Sequence, residues 1–214
     1  MINLLIAFDD SDADLGLYFT LCKDDSIEII NSIEVNRNRI TVTELPANKC
    51  NQAYIDISLQ NLKEPPFIWA AFTHGDEDSI TVGNVPFVMA GNDNSFFNNS
   101  FFYTNSCSSA TNLGKDLMEQ SCRVFIGYKD KVYAFKNEYG DISLKCDTIG
   151  LTSFLTEDIT AFESYSKMNQ LYTQESRKLQ KVGDVLSAGL LISARESLTF
   201  KGDKDAKSSD FILH

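Results

Sequence analysis

The chain has 214 residues, 43% of them hydrophobic and 23% charged, with a formal net charge of −11. That length and balance exclude a disordered chain and suit one large α/β domain with a core of its own. The negative charge repels phosphate backbones and anionic lipid, so neither a nucleic-acid nor a membrane partner is expected.

Residues 2–8 form an Ile- and Leu-rich run without polar alternation beyond Asn3, which predicts a strand covered on both faces, as in a parallel sheet. Asp9 to Asp14 then cap a short helix through Leu17, Leu21 and Cys22. Alternating apolar and polar residues predict strands over 26–35 and 39–45, with Pro46 ending the second. Ala53, Ile55, Leu59 and Leu62 predict a helix over 48–62, stopped by Pro65 and Pro66 before a strand at 67–72.

A hairpin is expected around Gly83-Asn84, between 79–82 and 85–89, followed by a polar loop over 91–100. A strand at 101–105 leads into a helix at 108–121, then a strand at 124–128 with 132–135 pairing beside it. Leu151, Leu155, Ile159, Phe162, Tyr165, Met168 and Tyr172 step by three or four and predict one long amphipathic helix. A last helix spans about 182–198, and 201–210 reads as a mobile polar tail. The order of elements predicts a three-layer α/β/α sandwich with a mostly parallel central sheet.

In such a sheet reactive groups gather beyond the carboxyl ends of the strands. Two side chains stand there. His74 follows the strand at 67–72 and is the one histidine besides the terminal His214; Cys107 follows the strand at 101–105. A thiol needs help to ionise at neutral pH, and the predicted helix start beside Cys107, together with His74 as base, would supply it. The backbone N–H groups of Gly75 and Cys107 are candidates for an oxyanion hole, since glycine leaves room for a carbonyl. Cys22, Cys50, Cys122 and Cys146 lack such a setting and read as packing thiols; five cysteines without a C-x-x-C pair favour neither a disulfide framework nor a zinc site. The run Asp10, Asp12, Asp14 suggests a Mg²⁺ phosphohydrolase or an EF-hand, but Leu15 and Leu21 stand where the EF-hand needs Gly and Glu.

An apolar strand ending in His-Gly, then a second ending in Asn105-Ser106-Cys107-Ser108-Ser109 before a helix, resembles the caspase-like cysteine peptidases, and among them the bacterial CHAT-type proteases. The resemblance covers about 67–135 and includes the following strand Arg123-Val124-Phe125-Ile126-Gly127-Tyr128. It implies a cysteine endopeptidase with His74 as base and Cys107 as nucleophile, working through an acyl-thioester and needing no cofactor or metal. It divides the chain into a peptidase core at 1–150, helices packed on that core at 151–200 and a polar tail at 201–214. A protein substrate, an activating or regulatory protein and a role in bacterial defence are further implications.

The cysteine lies in Asn-Ser-Cys-Ser-Ser rather than the caspase motif, so aspartate specificity does not carry over. Asp76 and Asp130 are the candidate substrate-binding acids, and they predict a basic residue, Arg or Lys, before the cleaved bond. The alternative of a different class is a catalytically silent interaction module with the same fold. Absence of a roughly 20-residue apolar run and of a basic leader at Met1 to Asp10 gives an expected cytoplasmic location.

Overall fold

A computed structural model describes residues 1–62, 66–135 and 139–212. Pro65 and His214, singled out above, lie outside the described residues. In chain order the elements are β1 (Ile2–Phe8), α1 (Gly16–Ser32), α2 (Glu34–Arg37), β2 (Ile40–Leu45), α3 (Gln52–Asn61), β3 (Ile68–Phe72), β4 (His74–Gly75), β5 (Ser79–Val82) and β6 (Val85–Met89). They continue with β7 (Phe101–Thr104), α4 (Asn112–Glu119), β8 (Val124–Tyr128), α5 (Gly140–Thr156), α6 (Ala161–Lys181), α7 (Val185–Ser197) and β9 (Leu198–Gly202).

The central sheet runs β2-β1-β3-β7-β8-β9 and is parallel except for β9, which pairs antiparallel with β8. Successive side chains on a strand point to opposite faces, and here both faces are apolar. Ile2, Leu4, Ile6, Ile68, Ala70, Phe101, Tyr103 and Ile126 pack on one side against Phe19, Cys22 and Ile30 of α1, Leu151 and Phe154 of α5, and Met168 of α6. Leu5, Ala7, Trp69, Ala71, Phe102 and Phe125 pack on the other against Ile55 and Leu59 of α3, Leu113 and Leu117 of α4, and the β5–β6 hairpin. The architecture is therefore a three-layer α/β/α sandwich with a mostly parallel sheet, as the element order predicts.

Several elements differ from expectation. Residues 26–35 are not a strand: α1 continues to Ser32. Its inward stripe is Phe19, Cys22, Lys23, Ser26 and Ile30, so polar residues sit on the buried face and disguise the helical period. The expected long helix through Leu151 and Tyr172 is two helices, because Thr160 opens α6 with a capping box: its side chain accepts the Glu163 N–H while Glu163 accepts the Thr160 N–H. Residues 132–135 do not pair with β8; β9 takes that place.

Nor is the segment from Lys201 a mobile polar tail. Lys201 and Gly202 complete β9, Ala206 and Phe211 are fully buried, and Arg123 binds both Asp203 and Asp210. The Phe211 ring lies 5.9 Å from that of Phe154 and 6.2 Å from that of Phe101. Phe211→Ala is accordingly expected to lower stability by about 3–5 kcal/mol in denaturant titration. A change within about 0.5 kcal/mol, as at a surface position, would contradict this packing.

Candidate active site

Adjacent pairing of β3 and β7 brings the two candidate reactive residues to one edge of the sheet. The register Ile68↔Phe101 to Ala71↔Thr104 makes the segments beyond these strands leave side by side. Short hydroxyl side chains then tie those segments together. The Asn105 N–H and the Thr104 hydroxyl both donate to the Ala71 carbonyl, at 3.2 and 2.9 Å. The fully buried Ser106 hydroxyl donates to the Thr73 carbonyl at 2.9 Å. Thr73 and Ser106 each lie one residue before His74 and Cys107, so these bonds fix the spacing of the pair.

His74 and Cys107 line one cavity, together with Tyr18, Asn105, Val132 and Asp147. They share no direct hydrogen bond, and each is held from elsewhere. His74 Nε2 is 3.1 Å from Asp12 Oδ2, and the Phe19 ring meets the imidazole edge-on at 5.3 Å. Asp12 Oδ1 accepts the Leu15 and Asp14 N–H groups at 2.6 and 2.8 Å, a turn that leads into α1. The Leu15 bond, then those of Asp14 and His74, hold the Asp12 carboxyl below its ordinary range against a smaller opposing effect of burial. An ionised carboxylate only accepts, so Nε2 carries the imidazole proton and Nδ1 is left as the basic nitrogen.

Cys107 Sγ accepts the Val132 N–H at 3.3 Å and lies 3.6 Å from the Val132 carbonyl. It is the one partly exposed thiol of the five; the others are buried. Burial pushes the Cys50 and Cys122 thiols up to about 12 and those of Cys22 and Cys146 far up as well. The expected helix at 108–121 begins only at Asn112, so no helix start adjoins the thiol. Residues 107–111 form a turn, with Ser108 at φ 54°, pinned by Ser108 N–H to the Asp130 carbonyl and Ala110 N–H to the Tyr128 carbonyl. The first amides of α4, Asn112 and Leu113, donate to the Glu77 carbonyl instead.

Gly75 is required by close approach: a Cβ there would meet the Ser106 Cβ at 2.7 Å and the Ser79 carbonyl at 3.0 Å. The Asp76 N–H bonds the Ser79 carbonyl, so alternation along the antiparallel ladder turns the Gly75 N–H away from β5. Gly75 and Asp76 line a separate groove beside His74 and Asp12, where Asp76 Oδ1 accepts the Asp78 and Ser79 N–H groups. Asp130 is exposed and is not among the residues lining the cavity of Cys107.

The carboxylate in that cavity belongs to Asp147 of α5. Oδ1 accepts from the hydroxyls of Tyr128 and Tyr172 at 2.9 and 2.7 Å, and Oδ2 from the Tyr18 hydroxyl at 2.7 Å and Asn105 Nδ2 at 3.3 Å. Burial, and after it the Asp147 charge, pushes those three tyrosines well above their usual range and keeps them proton donors. Asp147 is an addition to the residues read from sequence, and Asp12 and Asn105, read there only as part of an acidic run and of the cysteine motif, take these roles in the structure. Asp10 and Asp12 do not converge: Asp10 accepts the Ala47 N–H while Asp12 serves His74.

No family model and no curated protein matches this chain.

Removing the Asp12 carboxylate should be visible in stability. Asp12→Ala loses acceptors for two N–H groups and the imidazole, and is expected to cost about 1 kcal/mol near neutral pH. A lowered folded pKa means that the contribution is present above the ordinary value of 3.8 and disappears as the pH falls through the folded value. Wild type and variant should therefore converge on acidification, measured by denaturant titration from about pH 7 to about pH 2. A gap that stays constant to the acid limit would contradict the assignment.

Proposed function

We propose that this chain is a cysteine endopeptidase in which Cys107 is the nucleophile and His74 the general base. The observation that carries the reading is that the one partly exposed thiol and an imidazole oriented by a carboxylate line the same cavity, at the carboxyl edge of two paired parallel strands. A base whose proton is fixed on Nε2 has its Nδ1 lone pair free to take the thiol proton.

In this reading the sulfur bonds to the substrate carbonyl carbon as His74 takes the thiol proton. The C–N bond then breaks, and the imidazolium gives that proton to the departing amine. Water, losing a proton to His74, attacks the thioester; the C–S bond breaks, the carboxylic acid is released, and the imidazolium returns its proton to the sulfur, regenerating the thiol. The Cys107 N–H, which makes no hydrogen bond among the described residues, and the Gly75 N–H, turned from its ladder, are the donors available to a developing oxyanion. A protein substrate and a regulatory partner belong to this proposal, as does action after a basic residue.

A second reading rests on the Val132 contacts of Cys107, which occupy the thiol in this conformation. They suit a silent interaction module of the same fold. Fluorogenic peptides ending in Lys, Arg or Asp separate the two, with intact-mass detection of an acyl adduct on Cys107. The peptidase reading expects cleavage after Lys or Arg, none with Cys107→Ala, and a loss of about 10²–10⁴-fold in kcat with His74→Ala. Absence of both cleavage and adduct would favour the interaction module; cleavage after Asp would remove the basic preference.

A further inference from the structure

The inner end of the cavity holds two polar groups that the dyad chemistry does not use. Asp147 is a buried carboxylate surrounded by neutral donors, and among the described residues no lysine or arginine pairs with it. A lone charge in such a place is costly without a counter-charge. Burial pushes its carboxyl above the ordinary range, opposed by the hydrogen bonds of Tyr172, Tyr18, Tyr128 and Asn105.

Asn105 supplies an independent sign. It is 7% exposed, it lines the cavity, and its Oδ1 has no hydrogen-bond partner among the described residues. The amide cannot relieve this by turning over, because that would set its oxygen against the Asp147 carboxylate and lose the bond from Nδ2. The site therefore presents an unsatisfied acceptor beside a buried carboxyl group that has no counter-charge among the described residues. It suits a ligand that donates hydrogen bonds, and a cationic one would also hold the Asp147 carboxyl ionised.

Shape narrows the choice. The inner cavity has about 30 Å³ of water-accessible volume, room for an ammonium group and small for a planar guanidinium. An outer groove of about 310 Å³ shares Leu15, His74, Val132 and Ala134 with it, and Asp12 and Asp14 stand at its rim. An aliphatic stem can pass between Leu15, Val132 and Ala134 while its charged head meets Asn105 and Asp147.

We propose that this cavity is a lysine pocket, in which Asn105 Oδ1 accepts a hydrogen bond from the side-chain ammonium of the residue before the cleaved bond and Asp147 beside it supplies the counter-charge. The assignment of that residue rests on the peptidase reading; recognition of the alkylammonium does not. It transfers basic specificity from exposed Asp130 to buried Asp147 and prefers lysine over arginine.

The test is a chemical-shift titration of the full chain with n-butylammonium chloride and, separately, with 1-pentanol, in wild type, Asn105→Ala and Asp147→Asn. Saturable binding of the amine is expected, about 10–100-fold tighter than the alcohol, with a comparable loss in either variant. The amine–alcohol contrast in wild type stands even if Asp147→Asn fails to fold. Equal affinity for amine and alcohol, or no saturable binding, would overturn the pocket.

A parallel reaction of wild type with lysyl and leucyl peptide acyloxymethyl ketones, which alkylate a nucleophilic thiol with loss of carboxylate, separates the two proposals. Amine binding with both ketones inert at Cys107 would leave the cation pocket standing and remove the peptidase. Leucyl ketone reacting as fast as lysyl would leave the peptidase and remove the lysine pocket.

Discussion

Parallel pairing of β3 with β7 is the constraint on which the rest of the site depends. Neither strand carries a reactive group within its own length; each delivers one just past its end. The ladder sets their lateral separation, and the bonds from Thr104, Asn105 and Ser106 to the Ala71 and Thr73 carbonyls extend it beyond the last strand pair. Buried hydroxyl and amide groups of this kind are specific because each has one good arrangement and a poor alternative. Gly75 completes the constraint, since any side chain there would push the histidine segment off the cysteine segment.

Around that pair the chain divides the work between the two ends of the cavity. From one side α1 and the turn before it hold the imidazole, with Asp12 on Nε2 and Phe19 against the ring. From below, α5 contributes Asp147, tied to α1 through Tyr18, to β8 through Tyr128 and to α6 through Tyr172. One carboxylate thus links three elements distant in sequence. The layers that bury the sheet and the groups that shape the cavity are the same helices, so site geometry and core packing are coupled.

The fold was largely legible in the sequence because the inner strands are buried on both faces and read as uninterrupted apolar runs. His74 and Cys107 were legible for the same reason, as polar residues ending such runs. The residues around them were not. Asp147 follows Cys146 within an ordinary helical stretch, and its partners at 18, 128 and 172 come from separate elements that no local pattern connects. Lys23 and Ser26 on the inward face of α1 hid its period and suggested a strand. A readable signal does lie between α5 and α6, where Thr160 and Glu163 have the spacing of a capping box. The sequence does not show that α4 starts only at Asn112, because Ser108 adopts a left-handed backbone, which composition alone does not announce for a non-glycine residue.

The most direct test of cooperation between His74 and Cys107 is the pH dependence of iodoacetamide alkylation at Cys107, followed by mass spectrometry in wild type and in His74→Ala. Cys22, Cys50, Cys122 and Cys146, all buried, are internal controls. Selective labelling of Cys107 near neutral pH is expected, at a rate that falls when His74 is removed. Labelling no faster than that of Cys22 or Cys50, or equal rates with and without His74, would contradict it.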